Sequence, residues 1–180
     1  AMRREDEHYG NAILSRYELT FHRAVELPGT PPFFCRENRV AIEASVQTNL
    51  GEVHIVNTHL GLGWRERLVQ TQLFTNAEWR AAIADDRPLI LLGDFNSMRG
   101  SRPYRTLNRH LRDVRELVAA KKPIRTFPTR LPLLAVDHIF VNQAVQPVSV
   151  TVHRSPLARI ASDHFPLVAE FVLSPQLRPE

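Results

Sequence analysis

Cysteine is almost absent: Cys35 stands alone among 180 residues. One thiol excludes an internal disulfide, so the chain needs no oxidising compartment, and a cytoplasmic location is the expectation. With no motif around it, Cys35 reads as a small apolar residue rather than a nucleophile. Lysine is nearly as scarce. Lys121 and Lys122 are the only two, so almost all of the 23 cations are arginines. No apolar run reaches the roughly 18 residues of a membrane helix, which excludes a helical transmembrane segment. No charged region precedes an apolar stretch, which argues against a signal peptide. P-loop, dinucleotide fingerprint and Cys/His metal spacing are all missing. No repeat, low-complexity tract or linker divides the chain.

What remains is an ordinary globular composition, 43% hydrophobic and 23% charged, enough for a single domain over residues 1–180. The formal charge of +4 is a modest excess. Arginine forks suit phosphate, but an arginine bias equally reflects a GC-rich genome. No basic stripe interleaved with aromatics favours DNA.

Apolar periodicity predicts strands over 17–27, 39–48, 53–59, 88–94, 136–141, 148–153 and 167–173. Leu50-Gly51 turns the second of these into the third as a hairpin. Leu89-Ile90-Leu91-Leu92 is continuously apolar, as in a strand buried on both faces. A helix is expected over about 64–84, with Leu68, Leu73 (or Gln72), Trp79 and Ile83 on one side. A second begins after Ser101, a good N-cap, with Pro103 in its first turn and Tyr104, Leu107 and Leu111 along one face. The order of strands and helices points to a mixed α/β layered fold.

Chemistry-bearing residues gather at predicted strand ends. Asp94 and Asn96 leave the strand that closes on Leu91-Leu92-Gly93. A carboxylate there can hold a divalent cation, and an amide beside it can contact a phosphoryl oxygen. The competing reading is a plain turn capping a helix. In Ser162-Asp163-His164, a His beside an Asp suits base work or metal ligation, although a polar turn before a strand explains such a pair as well. In Asp137-His138-Ile139-Phe140 the period of two sends Asp137 and His138 to opposite faces, so only one can serve a given site. Asp137 could fix the tautomer of an imidazole elsewhere, which leaves His138 structural. His59 ends the strand Asn57-Thr58-His59, a solvated position unless others join it.

In sequence order, Asn-Thr-His-Leu, Gly-Asp-Phe-Asn, Val-Asp-His-Ile-Phe-Val and Ser-Asp-His-Phe-Pro-Leu resemble the endonuclease/exonuclease/phosphatase superfamily, from about Tyr9 to Leu173. The resemblance implies a sandwich of two mixed, mainly antiparallel sheets flanked by helices. It also implies Mg²⁺- or Mn²⁺-dependent hydrolysis of a phosphate ester by in-line attack of water. His164 takes the place of the general base or the electrophile at phosphate. Asp137 would orient it, Asp163 would help hold the cation, and Asp94 would position or deprotonate the attacking water and also help hold the metal. Asn96 and His59 would contact the scissile phosphate, with Asn57 a weaker candidate. Arg65 and Arg67 could reach phosphate in some members, but read by default as solvated helix charges. The substrate would be a small molecule, a lipid headgroup or nucleic acid, and the loop Leu27–Asn38 would border the site.

One departure stands out. The superfamily pattern opens with a strand carrying Asn and a second strand ending in Gln-Glu, whose Glu is the principal metal ligand. None of Glu5, Glu7, Glu18, Glu26 or Glu43 sits in such a motif. The expectation is therefore a fold lacking its first strands and helix, with Mg²⁺ weakly held and hydrolysis slow or absent. A homodimer would cover the sheet left open. The alternative function is a non-catalytic binding module or inactive fragment on the same fold.

Overall fold

The computed structural model describes residues 2–4, 7–29, 38–84, 87–118 and 124–173. Cys35 and most of the Leu27–Asn38 loop lie outside the described residues.

A short ribbon of β1 (Met2–Arg4) and β2 (Glu7–Tyr9) comes first. There follow β3 (Glu18–Glu26), β4 (Val40–Thr48), β5 (Gly51–His59), α1 (Trp64–Leu73), α2 (Ala77–Ala84), β6 (Leu89–Asp94) and α3 (Arg102–Asn108). The chain then runs through β7 (Arg112–Asp113), α4 (Val114–Leu117), β8 (Asp137–Val141), β9 (Val145–Val152), α5 (Pro156–Ala161) and β10 (Leu167–Leu173). Six strands form one sheet in the order β3-β4-β5-β6-β8-β7, and β10-β9 form a second. Among the described residues only the β5–β6 pair is parallel. The mixed, mainly antiparallel two-sheet layering expected of the sequence is thus present.

Alternation along the central strands makes the layers. Leu89 and Leu91 of β6 join Phe74, Trp79, Tyr104, Leu107 and Phe140 in a core between the sheet and the helices. Ile90 turns the other way, packing with Val53, Ile139, Val141, Val145 and Val150 against the second sheet. Leu89–Leu91 is buried throughout, which accounts for its unbroken apolar run.

Two sequence expectations need correction. The helix expected over about 64–84 is two helices. Asn76 Oδ1 accepts the Trp79 backbone N–H at 3.0 Å, capping α2, and turn bonds to Gln72 and Leu73 close α1. Moreover, α1 buries Glu66, Gln70 and Thr71 rather than a leucine stripe. Gln70 accepts from Gly61 N at 2.8 Å and donates to the Pro28 carbonyl at 3.1 Å. Gln70 thus satisfies the buried Gly61 N–H, which would otherwise be left unpaired. Ser101 caps α3 as expected, accepting from Tyr104 N.

Candidate active site

Strand register aligns three polar residues. His59 at the end of β5 pairs with Asp94 at the end of β6, and Asp94 pairs with Asp137 at the start of β8. Asp137 shares a face with Ile139 and Val141, and both of those pack towards the second sheet. The loop before β10 returns His164 to the same place. Its Nδ1 lies 2.8 Å from Asp137 Oδ2, and its Nε2 lies 3.8 Å from Asp94 Oδ2. His59 Nε2 approaches the same Asp94 oxygen at 3.4 Å. The Phe127 ring rests 4.6 Å from the His164 ring and walls one side.

Backbone geometry sets Asp94. Gly93 has φ 141°, and a Cβ there would fall 1.8 Å from the Thr58 carbonyl oxygen, so only glycine lets the two strand ends close up. Asn96 takes φ 46°, a left-handed conformation that Asn tolerates better than most residues. Its backbone N–H donates to Asp94 Oδ1 at 2.8 Å, which leaves Oδ2 towards the two imidazoles. Its side-chain amide donates to the Leu60 carbonyl at 2.9 Å, committing one of its two hydrogens.

The electrostatics separate the two imidazoles. The Asp137 hydrogen bond lifts His164 above the usual histidine range, against burial. Burial holds His59 below that range, and the nearby Arg39 charge adds to this while Asp94 opposes it. Burial raises Asp94 as well, against the Asn96 N–H.

The structure therefore brings His59, Asp94, Asn96, Asp137 and His164 together. Asn57 stands on the same strand face as His59, but its amide donates to the Ala12 carbonyl at 2.9 Å and so ties the 11–12 segment down. Asp163 is exposed. Asp94, Asp137 and His164 each offer a ligand atom within 4.8 Å of the others, and Asp163 is not in that group. Arg67 departs from the solvated default. It is half-buried, its guanidinium donates to the Leu62 carbonyl, and its Nε is buried without a partner. Arg65 is exposed, over the Trp64 ring at 5.2 Å.

Sequence reasoning missed three neighbours. Thr126 Oγ1 donates to Asp137 Oδ2 at 2.5 Å, Phe127 packs on His164, and Arg39 is buried beside His59. Only Arg39 had a signal available: an arginine at the mouth of a strand that pairs with β5.

A carboxylate-held imidazole thus faces a second carboxylate at the strand ends of a layered α/β sandwich. The chain belongs to the endonuclease/exonuclease/phosphatase family, whose model matches residues 3–164. It is 34% identical over 174 residues to the uncharacterised YbhP of Escherichia coli K12, an alignment that takes in 92% of this chain and 64% of that protein. The chain thus spans under two thirds of that curated relative's length. Among solved structures, a Bacteroides thetaiotaomicron mannosyl-6-phosphatase superposes with TM-score 0.68 at 22% identity, over 86% of this chain and 67% of that one. TDP2 of D. rerio, solved with a single-stranded DNA product, superposes with TM-score 0.59 at 18% identity, over 86% of this chain and 68% of that one. At such identities these structures carry the fold alone. No helix among the described residues is long and apolar enough to cross a membrane.

Proposed function

We propose that the site hydrolyses phosphate esters with the help of a divalent cation, His164 acting as general base. The observation that carries this is the Asp137–His164 pair, 2.8 Å long, with Nε2 directed at Asp94. A hydrogen on Nδ1 bonded to Asp137 leaves the Nε2 lone pair facing the site. Water held between Nε2 and Asp94 Oδ2 gives its proton to Nε2 as its oxygen bonds to phosphorus. The ester P–O bond breaks, and the alcohol departs with a proton from solvent or from the imidazolium. His59 and Asn96 border the same point and would hold phosphoryl oxygens. Membership of a family that includes phosphoesterases supports the reading.

The donor set fits a divalent cation in part. Asp94 Oδ2 is open to one, whereas Asp137 Oδ2 already accepts from Thr126 and His164. Mg²⁺ prefers about six oxygen ligands, so a cation held by Asp94 would keep most of its water and bind weakly. When bound, it would neutralise charge on the phosphoryl oxygens.

The test is hydrolysis of nitrophenyl phosphate mono- and diesters across a Mg²⁺ and Mn²⁺ titration. Slow turnover is expected, needing metal and falling by roughly 10²–10⁴-fold in His164→Ala, the usual contribution of a general base. Turnover that survives His164→Ala, or none with any ester and metal, sinks the proposal.

A further inference from the structure

The site lies at one edge of the sandwich, and four of the connecting segments at that edge lie wholly within the described residues. Segment 60–67 follows β5, and segment 95–102 follows β6. Segment 124–136 precedes β8, and segment 153–166 joins β9 to β10. Hydrogen bonds knit the last two together, with Thr129 N donating to Asp163 O and Phe165 N to Thr126 O, both at 2.9 Å.

These segments expose aliphatic side chains that the fold does not use. Leu62 is 67% exposed, with Trp64 beside it and Met98 on the next segment. The tip of the 126–134 hairpin presents Leu131 and Leu133. On α5, Leu157 is 70% and Ile160 82% exposed. Single exposed leucines are unremarkable, but a set repeated on these four segments around one site is an exposed apolar rim.

The charge on the same segments is one-sided. Arg65, Arg99, Arg102, Arg125, Arg130, Arg154 and Arg159 are exposed there, against Asp163 as the exposed acid. Arg99 is bridged to Glu116 at 3.2 Å. At the opposite end, the turn Thr48–Glu52 has an exposed Leu50 and no arginine, and Arg87 before β6 is exposed at that same end.

We infer that this edge docks on an anionic lipid bilayer, with the aliphatic rim at the headgroup–acyl boundary and the arginines on lipid phosphates. Aliphatic side chains and cations together are what an anionic membrane surface rewards. A nucleic acid would use the arginines but leave Leu131, Leu133, Leu157 and Ile160 without a partner, because strands stack on aromatics. The inference rests on the proposed function in placing a phosphate-ester site on this edge. A phosphate ester carried in the bilayer would then reach His164 directly.

Docking can be read without catalysis. The 180-residue chain carrying His164→Ala is mixed with phosphatidylglycerol/phosphatidylcholine vesicles or with phosphatidylcholine alone, and bound protein is measured by flotation. Trp64 sits on the rim and Trp79 in the core, so Trp64 emission should shift to the blue on docking. The expected result is binding to the anionic vesicles only, weakened by raised salt. It should fall at least tenfold in Leu131→Asp/Leu133→Asp and in Ile160→Asp, and stay unchanged in Leu50→Asp. Circular dichroism confirms that each variant is folded. Several outcomes overturn the inference: no flotation, equal loss in Leu50→Asp, binding indifferent to lipid charge, or a Trp64 shift produced by duplex DNA or by concentrating the protein but not by vesicles. Failure here leaves nitrophenyl ester hydrolysis untouched, and failure of hydrolysis leaves docking untouched.

Discussion

Asp137 and His138 are neighbours on β8, yet their side chains enter two different imidazole–carboxylate pairs. On the helix-facing side, His138 meets Asp113 with both side chains wholly buried. Arg115 Nη2 closes the group at 2.8 Å from Asp113 Oδ2 and also contacts the His138 Nδ1. His138 Nε2 donates to the Ser97 carbonyl at 2.6 Å. A carbonyl only accepts, so one hydrogen is on Nε2, while Nδ1 faces Asp113 Oδ2 at 3.0 Å. On the other side, His164 meets Asp137 at a similar distance but keeps Nε2 open towards Asp94. Both pairs have the same chemical parts. The closed one has no site left for a substrate and works as a clamp between β7, β8 and the loop after Asp94. The open one leaves Nε2 3.8 Å from Asp94 Oδ2, beyond hydrogen-bond reach.

The largest way to break this comparison is to exchange the consequences. Removing the Asp113 carboxylate leaves Arg115 and His138 buried with no anion. Breaking a buried pair in this way costs about 3–5 kcal/mol. Urea unfolding of Asp113→Ala should show that loss, whereas His164→Ala should unfold within about 1 kcal/mol of the parent, because its ring is part-exposed. If Asp113→Ala unfolds like the parent, the clamp is no clamp.

A smaller effect is expected from acid. Burial alone would raise Asp113, but hydrogen bonds from His138 and Arg115 outweigh it and hold the carboxyl well below the usual carboxylate range. A depressed folded pKa means that the stabilisation is fully present above the unfolded value of about 3.9 and is lost as pH falls below it. The parent's urea midpoint should therefore fall steadily from about pH 4 downwards. In Asp113→Asn the slope over the same range should be shallower, on a lower plateau. Parallel slopes would place the acid sensitivity elsewhere.

How much of this was legible beforehand differs between the two pairs. Alternation along Asp137–Val141 was enough to send Asp137 and His138 to opposite faces, and the structure has them so. The motifs at Asp94 and His164 were visible because each is local to a strand end. The alignment of His59, Asp94 and Asp137 was not, because it depends on the sheet order β5-β6-β8. Asp113 carried no signal at all. It sits in a two-residue strand whose worth comes from a partner 25 residues away. The polar buried face of α1 escaped for a related reason: Gln70 and Glu66 are buried to satisfy loop backbone, which periodicity does not report.

The smallest effect sharpens the open pair. The superfamily resemblance gives Asp163 a share in holding the cation. Its side chain is exposed and stands apart from the Asp94–Asp137–His164 group, and its charge is the last of the influences that lift His164. Asp94, by contrast, turns Oδ2 towards both imidazoles, with Oδ1 pinned by Asn96. Loss of a direct oxygen ligand should cost at least the roughly 10–100-fold in metal requirement seen for groups that only support ligands. Asp94→Asn should reach that range in a Mn²⁺ titration of nitrophenyl ester turnover. Asp163→Asn should move the half-saturating Mn²⁺ concentration by less than about threefold, as a screened surface charge does. A shift in Asp163→Asn as large as that in Asp94→Asn would mean that the loop before β10 swings its carboxylate inward when a cation arrives.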